Sequence, residues 1–551
     1  MRSKKKILKY GLIAVAAFVL LFGIYFYNTV MIDPPAVTSC TYEKQEPVHV
    51  TGSLYSLGDS WIRKSASGLY ELYVKGDAYE RGVVTGKLAK GLVERQEDYF
   101  VSQLHEMIPS DVYINFLKLF VAWFNRNLDS AITEEYKKEI YGVSRSAPDR
   151  YDSIGPKYMR ILNYHAAHDI GHALLNMHLV GCTSFSLKGK KTVDGKLIAG
   201  RNFDFYMGDD FSKEKIVELC EPASGYRFLA VTWGGMIGVV SGMNENGLAV
   251  TINAAPGSIP SSAETPISLI TREILQYAGN IAEAHAIAAK RKSFVSESIM
   301  VSSAADGKTV LIEKTPDSCV VYDPGTDTVI STNHFQKTNR VEEESSAYRY
   351  RRVEELLSVT NRFDENKVAT VLRDRKGLGG RNIGNGNEKA VNQLIAHHSI
   401  IFKPEERIVW VSSSPWQCGK YYAYDLKKIF SRKGVPVRDE EITDKSREIG
   451  ADPFVKSEEM ISYEKYRTIR AGLKKAIKDK TTVDDAGLKT FIASNPEMYL
   501  AYQTAGDYLF SRGEFVKARD YYTAALTKEV ARKSEREKIE ESIRACDKSA
   551  E

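Results

Sequence analysis

Gly181-Cys182-Thr183-Ser184-Phe185, followed by Gly200-Arg201-Asn202-Phe203-Asp204-Phe205, is the stretch on which the fold turns. Before it, residues 65–180 carry apolar positions at helical spacing, in segments such as 88–108 and 112–128. After Gly181 the pattern changes to short β-type runs at 183–187, 196–200, 227–232, 248–253, 309–313, 329–332 and 407–411. Asp194-Gly195 predicts a tight hairpin between the first two. Helical stretches over 267–291 and 346–358 interrupt the strands, so the middle of the chain is expected to form a mixed, layered α+β domain.

A cysteine that opens a strand directly after glycine suits a nucleophile released by backbone cleavage. Glycine permits a strained geometry in which the Cys182 thiol attacks the carbonyl before it. An N-to-S acyl shift gives a thioester, and hydrolysis leaves Cys182 with a free α-amino group. Such an amine titrates near ~7.7 and can take the thiol proton itself. The bland alternative is a small buried hydrophobe on a strand, the usual fate of a lone cysteine.

The neighbouring motifs weigh against that alternative. Gly-Cys-Thr-Ser-Phe followed by Gly-Arg-Asn-x-Asp resembles the penicillin acyltransferase family, peptidase family C45, and more distantly bile salt hydrolases, acid ceramidase and N-acylethanolamine acid amidase. Four further segments agree in order: Gly76-Asp77-Ala78-Tyr79-Glu80-Arg81-Gly82 with Gly86, Gly242 to Leu248 leading to Thr251-Ile252-Asn253-Ala254, Ser331-Thr332-Asn333-His334-Phe335, and Ser413-Ser414-Pro415. The resemblance covers about residues 65–430. It implies a four-layer αββα N-terminal-nucleophile (Ntn) hydrolase core that cuts itself between Gly181 and Cys182 and then acts on linear, non-peptide C–N amides of N-acyl substrates through a Cys182 thioester. It also implies roles. Cys182 matches the nucleophile, Asp204 the group orienting thiol and amine, and Arg201 the neighbouring charge or substrate contact. Asn253 matches an oxyanion donor, Asn333 a second polar residue near the reacting carbonyl, and Arg349 the family's further arginine, with Arg351 and Arg352 as competitors for that match. No cofactor or metal is called for.

The net charge of +5 has one source. Of the 76 lysines and arginines, five lie among the first nine residues, and the 71 that remain balance 71 acids. A neutral body lacks the footprint that phosphate backbones select, which argues against nucleic acid as a partner. Residues 10–31 form an apolar run long enough to cross a bilayer, with Tyr25 and Tyr27 near its far end. The basic flank predicts a cytosolic N-terminus, a single pass and an extracytoplasmic body. No A-x-A pattern follows the run, so an uncleaved anchor is expected rather than a removed signal. Val37-Thr38-Ser39-Cys40 loosely resembles a lipoprotein box, but Pro34-Pro35 separates it from the apolar run. Six cysteines in 551 residues do not make a disulfide framework.

The expected organisation is an anchor over 1–31, a linker and mostly helical pro-segment over 32–181, a catalytic segment over 182–440 and a helical tail over 441–551. In the tail, Gly506, Gly513, Phe515, Ala518, Tyr522 and Ala525 stand at the offsets of a tetratricopeptide helix pair, and Gly472 lies 34 residues before Gly506. A packed helical cap and a protein-binding arm both fit. Two other readings of the whole remain: an anchored scaffold whose hydrolase core is degenerate, and a metallohydrolase using His165, His168, His172 and His178, two of which stand at i and i+4. Against the second, Gly171 weakens the helix and no third ligand follows at motif spacing.

Overall fold

The computed structural model describes every residue except 1, 109, 175–180, 258–259, 261, 339–343, 361, 433 and 551. Two β-sheets lie at its centre. The larger has eleven strands, in spatial order Val48–Thr51, Leu54–Leu57, Ser60–Lys64, Tyr70–Gly76, Ile216–Pro222, Phe228–Thr232, Ser241–Asn244, Leu248–Ala254, Glu297–Ser303, Lys308–Lys314 and Cys319–Tyr322. The smaller has six, ordered Thr328–Ser331, Thr183–Leu187, Ile198–Phe203, His398–Lys403, Ile408–Ser412 and Tyr421–Asp425. All neighbours pair antiparallel except Tyr70–Gly76 with Ile216–Pro222, which run parallel from the Tyr70↔Ile216 register.

Side-chain alternation builds the layers, because successive residues on a strand point to opposite faces. On the larger sheet Val217, Leu219, Leu229, Val231 and Ala249 share one apolar cluster with Ala199, Ile400, Phe402, Val409 and Val411 of the smaller. Their immediate neighbours point outward. Phe228, Ala230, Leu248, Val250 and Ile252 cluster with Ile267, Ile270, Ile274 and Ala284 of the helices Ile267–Tyr277 and Ile281–Lys290. Phe185, Ile198, Ile401 and Trp410 pack on Val353, Leu357, Val368 and Leu372 of the helices Glu344–Ser358 and Glu365–Leu372. The result is helices, sheet, sheet, helices. Toward Cys182 the layer between the sheets turns polar: Ser184 Oγ donates to Asn253 Oδ1 at 3.0 Å, and the Ser186 and Thr309 hydroxyls meet at 2.7 Å.

Two expectations are corrected here. The region read as linker holds the four strands between Val48 and Gly76, which extend the larger sheet at one edge. Helices do fill most of 78–174. The connection after Leu187 is also no tight hairpin: ten residues, including a 3-10 turn at Gly189–Lys191, separate Leu187 from its partner Ile198. Of the pair Asp194-Gly195 only the glycine has a positive φ, 74°, whereas a type I′ turn needs two adjacent such residues.

The Gly76-Asp77 motif starts a helix and packs it. Asp77 caps Ala78–Leu88 and exchanges backbone contacts with Glu80. Arg81 ion-pairs with buried Glu139 on the helix Glu134–Ser144 at 2.5 Å. A Cβ on Gly82 would lie 2.1 Å from Glu139 O, so glycine is what lets these two helices touch.

At the N-terminus, Lys6–Val30 is long and apolar enough to cross a membrane, and only its far end, at Val30, is buried by the rest of the chain. Its far end meets the helix Asp111–Phe124, where the Phe26 and Trp123 rings stack at 5.9 Å. The C-terminal region is helical, over Glu458–Asp479, Asp485–Ser494, Tyr499–Ser511, Phe515–Leu526 and Lys533–Ala550. Gly506 lies where a Cβ would meet the Tyr522 ring at 2.7 Å, while Gly472 has open space around it. All six cysteines are free thiols.

Candidate active site

Cys182 lies at the mouth of Thr183–Leu187, fully buried. The ladder continues one step beyond the strand, with Gly181 N–H donating to Asp204 O at 2.9 Å. Cys182 thereby faces the same inner layer as Ser184, and Arg201, also on an inward position, reaches it. Arg201 Nη2 approaches Cys182 Sγ at 3.6 Å and donates to Ile252 O, while Nη1 donates to Ser241 Oγ at 2.5 Å and Val240 O at 3.2 Å. The Phe203 ring lies under the guanidinium at 4.3 Å.

This burial decides the protonation states. It pushes the Cys182 thiol up to about 11; Arg201 opposes the shift, and the carboxyls of Asp204 and Glu297 reinforce it. Burial likewise raises Asp204 to about 7 against the pull of Arg349 and Arg201. Neither Asp204 carboxylate oxygen has a hydrogen-bond partner among the described residues. Glu297 is held well above the usual carboxylate range by burial and by Asp169.

Arg349 closes the other side. Its Nη1 donates to Cys182 O at 2.6 Å and to Thr183 Oγ1 at 3.0 Å, and its Nη2 to Asn333 Oδ1 at 2.8 Å. Arg352 instead pairs with Asp374, and Arg351 is exposed, so of the three arginines Arg349 is the one at the cysteine. Asn333 Nδ2 donates to Ala254 O at 2.9 Å. Asn253 points into the same layer, but its Nδ2 donates to Ser331 O at 2.9 Å and Oγ at 3.3 Å. Cys182, Arg201, Asp204, Asn253, Asn333 and Arg349 thus converge on one buried region, from segments scattered over 168 positions of sequence.

Sequence reasoning missed two parts. Gln393 Nε2 donates to Gly181 O, the carbonyl ahead of Cys182, at 2.7 Å. Gly181 has no positive φ, and the space a Cβ would take there is filled by the Gln393 amide, 2.3 Å away at Nε2. The expected strained backbone is replaced by a close approach. The second part is His397-His398, a visible dipeptide. Both imidazoles are kept neutral by burial, and His398 Nε2 meets the Ser241 hydroxyl that also serves Arg201 at 2.9 Å.

His165 is fully occupied. Its Nδ1 donates to Ile161 O at 2.8 Å and its Nε2 accepts from Ile237 N–H at 3.0 Å, while burial lowers its pKa to about 4. The side chains of His168 and His172, and the whole of His178, lie outside the described residues. Among the described residues no group of three or more His, Cys, Asp or Glu could hold a metal ion.

Comparison with known proteins points the same way as the motifs. Residues 190–414 match the model of the family described as acyl-coenzyme A:6-aminopenicillanic acid acyl-transferase. That span starts just after Cys182 and includes Arg201, Asp204, Asn253, Asn333, Arg349 and Gln393. A protein of Archaeoglobus fulgidus, described only as uncharacterized, is 24% identical over 237 residues, 41% of this chain and 39% of its own. The chain thus spans about two-fifths of that relative's length. Among solved structures, an N-acylethanolamine-hydrolyzing acid amidase ortholog of Caenorhabditis elegans is similar at TM-score 0.31 and 19% identity, covering 41% of this chain and 93% of that one. A conjugated bile acid hydrolase variant of Clostridium perfringens gives 0.31 and 17%, covering 50% and 100%. Penicillin V acylase of Agrobacterium tumefaciens gives 0.30 and 14%, covering 45% and 87%.

Proposed function

We propose that this chain is a self-processing cysteine hydrolase or acyltransferase of the Ntn type, acting on linear amides of N-acyl substrates. The observation that carries the reading is the buried Cys182 thiol, 3.6 Å from the Arg201 guanidinium, near an Asp204 carboxyl that has no hydrogen-bond partner among the described residues. Before cleavage the thiol is protonated at neutral pH and no substrate reaches it. Cleavage after Gly181 supplies what is missing: an α-amino group titrating near ~7.7 that takes the thiol proton and gives Asp204 a cationic neighbour. The thiolate then attacks the substrate carbonyl, the amine leaves, and water or a second amine resolves the thioester.

A mostly apolar cleft near the site, with Gln96 and Glu97 also on its wall, suits the acyl group. Phe100 and Ile161 of the segment before Cys182 face Phe205, Phe211, Trp233 and Met236 of the segment after it. Phe203, the ring under Arg201, stacks on both Phe205 and Trp233. A hydrocarbon chain fits this lining better than a charged one.

The membrane reading is a single-pass anchor through Lys6–Val30 with the body on the extracytoplasmic side. A second contact supports it. The helix Asp111–Phe124 exposes Val112 by 81%, Phe116 by 58% and Leu119 by 58%, beside the end of the anchor. Exposed apolar faces of this kind find partners in lipid.

Cys182→Ala tests the proposal. Wild-type protein is expected to run as two fragments on a denaturing gel, with Cys182 as the new N-terminus by mass spectrometry, and to lose amidase activity to a thiol alkylator but not to a chelator. The variant is expected to stay intact and inactive. Cleavage or turnover that survives in Cys182→Ala sinks the reading.

A further inference from the structure

Gln393 meets the carbonyl that Cys182 would attack, and nothing in the roles drawn from the motifs uses it. The two asparagines matched to polar roles have their amide N–H groups engaged elsewhere, on Ser331 and on Ala254 O. Gln393 is 2% exposed, and its Nε2 stands 2.7 Å from Gly181 O. We propose that Gln393 is the oxyanion donor of self-cleavage and that the C-terminal helical region is the brace that keeps it in place. The proposal rests on the self-processing reading above.

The acyl shift balances within the chain, and the hydrolysis that follows takes up one water. Cys182 Sγ bonds to the Gly181 carbonyl carbon, and the negative charge that gathers on Gly181 O is met by the Gln393 N–H. Collapse breaks the Gly181–Cys182 C–N bond. The departing Cys182 nitrogen gains the thiol proton and becomes the α-amine, while Gly181 is left as a thioester on Sγ. Water hydrolyses that ester to the Gly181 carboxylate and a free thiol. A fixed neutral donor aimed at the carbonyl is what the first of these steps needs.

The brace is visible on both sides of Gln393. Asn392 donates through Nδ2 to Cys418 Sγ and accepts Leu394 N–H at 2.9 Å. Leu394 is held at a φ of +55°, a region leucine seldom occupies, and its side chain packs in the apolar cluster of Tyr463, Phe491, Met498 and Tyr499. Upstream, the loop is clasped by the tail: Asn385 and Asn495 exchange two hydrogen bonds, at 3.2 and 2.9 Å. Asn387 Nδ2 donates to Glu529 O, Lys389 pairs with Glu529 at 2.8 Å, and Arg532 pairs with Glu388 at 2.8 Å. Gly384 lets Met498 N come within 2.5 Å of the space a Cβ would fill. A loop without regular structure would not hold a donor by itself. Here the helices behind it do.

The test is a time course of fragment appearance for the full chain, synthesised in vitro with detergent. Gln393→Leu keeps the volume and removes the donor, and it should slow cleavage about 10²–10³-fold. Gln393→Ala should match it, so a folding defect in either variant alone does not decide the outcome. Asn495→Ala should slow cleavage by up to about 10²-fold through misplacement, yet add nothing in the Gln393→Leu background. A merely structural role for the tail would add its effect in both backgrounds. Wild-type speed in Gln393→Leu, with wild type cleaving and Cys182→Ala not, overturns this inference alone. Failure of wild type to cleave overturns the reading beneath it.

Discussion

At the residue scale, Asp204 shows how the uncut site stores a mismatch. An unfolded aspartate titrates near ~3.9, while burial raises Asp204 in the folded chain to about 7. The folded state therefore holds the proton more tightly. Its contribution to stability is complete below about pH 4 and is lost as pH rises through about 7, by something on the order of 3–4 kcal/mol. In the uncut Cys182→Ala chain, denaturant unfolding between pH 4.5 and 8 should show this decline, and adding Asp204→Asn should flatten part of it. Glu71 and Glu218, raised to about 7 by burial, and Glu297, raised well above its usual range, add to the decline. His165, His397 and His398, held neutral by burial, oppose it below about pH 6.5, so Asp204 is read from the difference between the two profiles. Equal slopes with and without Asp204→Asn would refute the assignment. If the chain is cut after Gly181 as proposed, the new α-ammonium beside Asp204 would relieve this mismatch.

At the scale of elements, the segments that the sequence made legible are those whose pattern is local. Leu248–Ala254 is buried at every position and reads as an apolar run between turn residues, whereas Glu297–Ser303, equally buried, was not among the expected strands. Val48–Thr51 is exposed along its length and exists as a strand because Leu54–Leu57 lies beside it, so its composition reads as linker. Cys182, Arg201, Asp204, Asn253, Asn333 and Arg349 were legible through their motifs. Gln393 was not, since its contact with Gly181 O spans 212 positions of sequence and leaves no local motif. The helix Asp111–Phe124 was legible as a helix, but its outward apolar face needed coordinates. That face predicts lipid contact. With the full chain in vesicles, lipids brominated on their acyl chains should quench a fluorescence component that Trp123→Phe removes. If Trp123→Phe leaves the quenching unchanged, the helix stays clear of the bilayer.

On the scale of the whole molecule, cleavage at Gly181 would cut the chain without dividing the fold. The parallel pair Tyr70–Gly76 and Ile216–Pro222 joins strands from the two sides of the cut in one sheet. Arg81 and Arg272, one from each side, both reach Glu139 in the interior. Arg63 from before the cut meets Glu441 from after it at 2.7 Å, and Tyr424 donates to Glu71. A pro-segment that only covered the site would leave once severed, but this one supplies four strands and many side chains of the apolar cluster outside the larger sheet. The two fragments should therefore elute as a single species in native size exclusion and unfold in one cooperative transition, separating only in denaturant. If the N-terminal fragment instead dissociates in native buffer while activity persists, the strands between Val48 and Gly76 are not part of the working enzyme. The apolar cleft, with Phe100 and Ile161 on the N-terminal side of the cut, would then lose part of its lining.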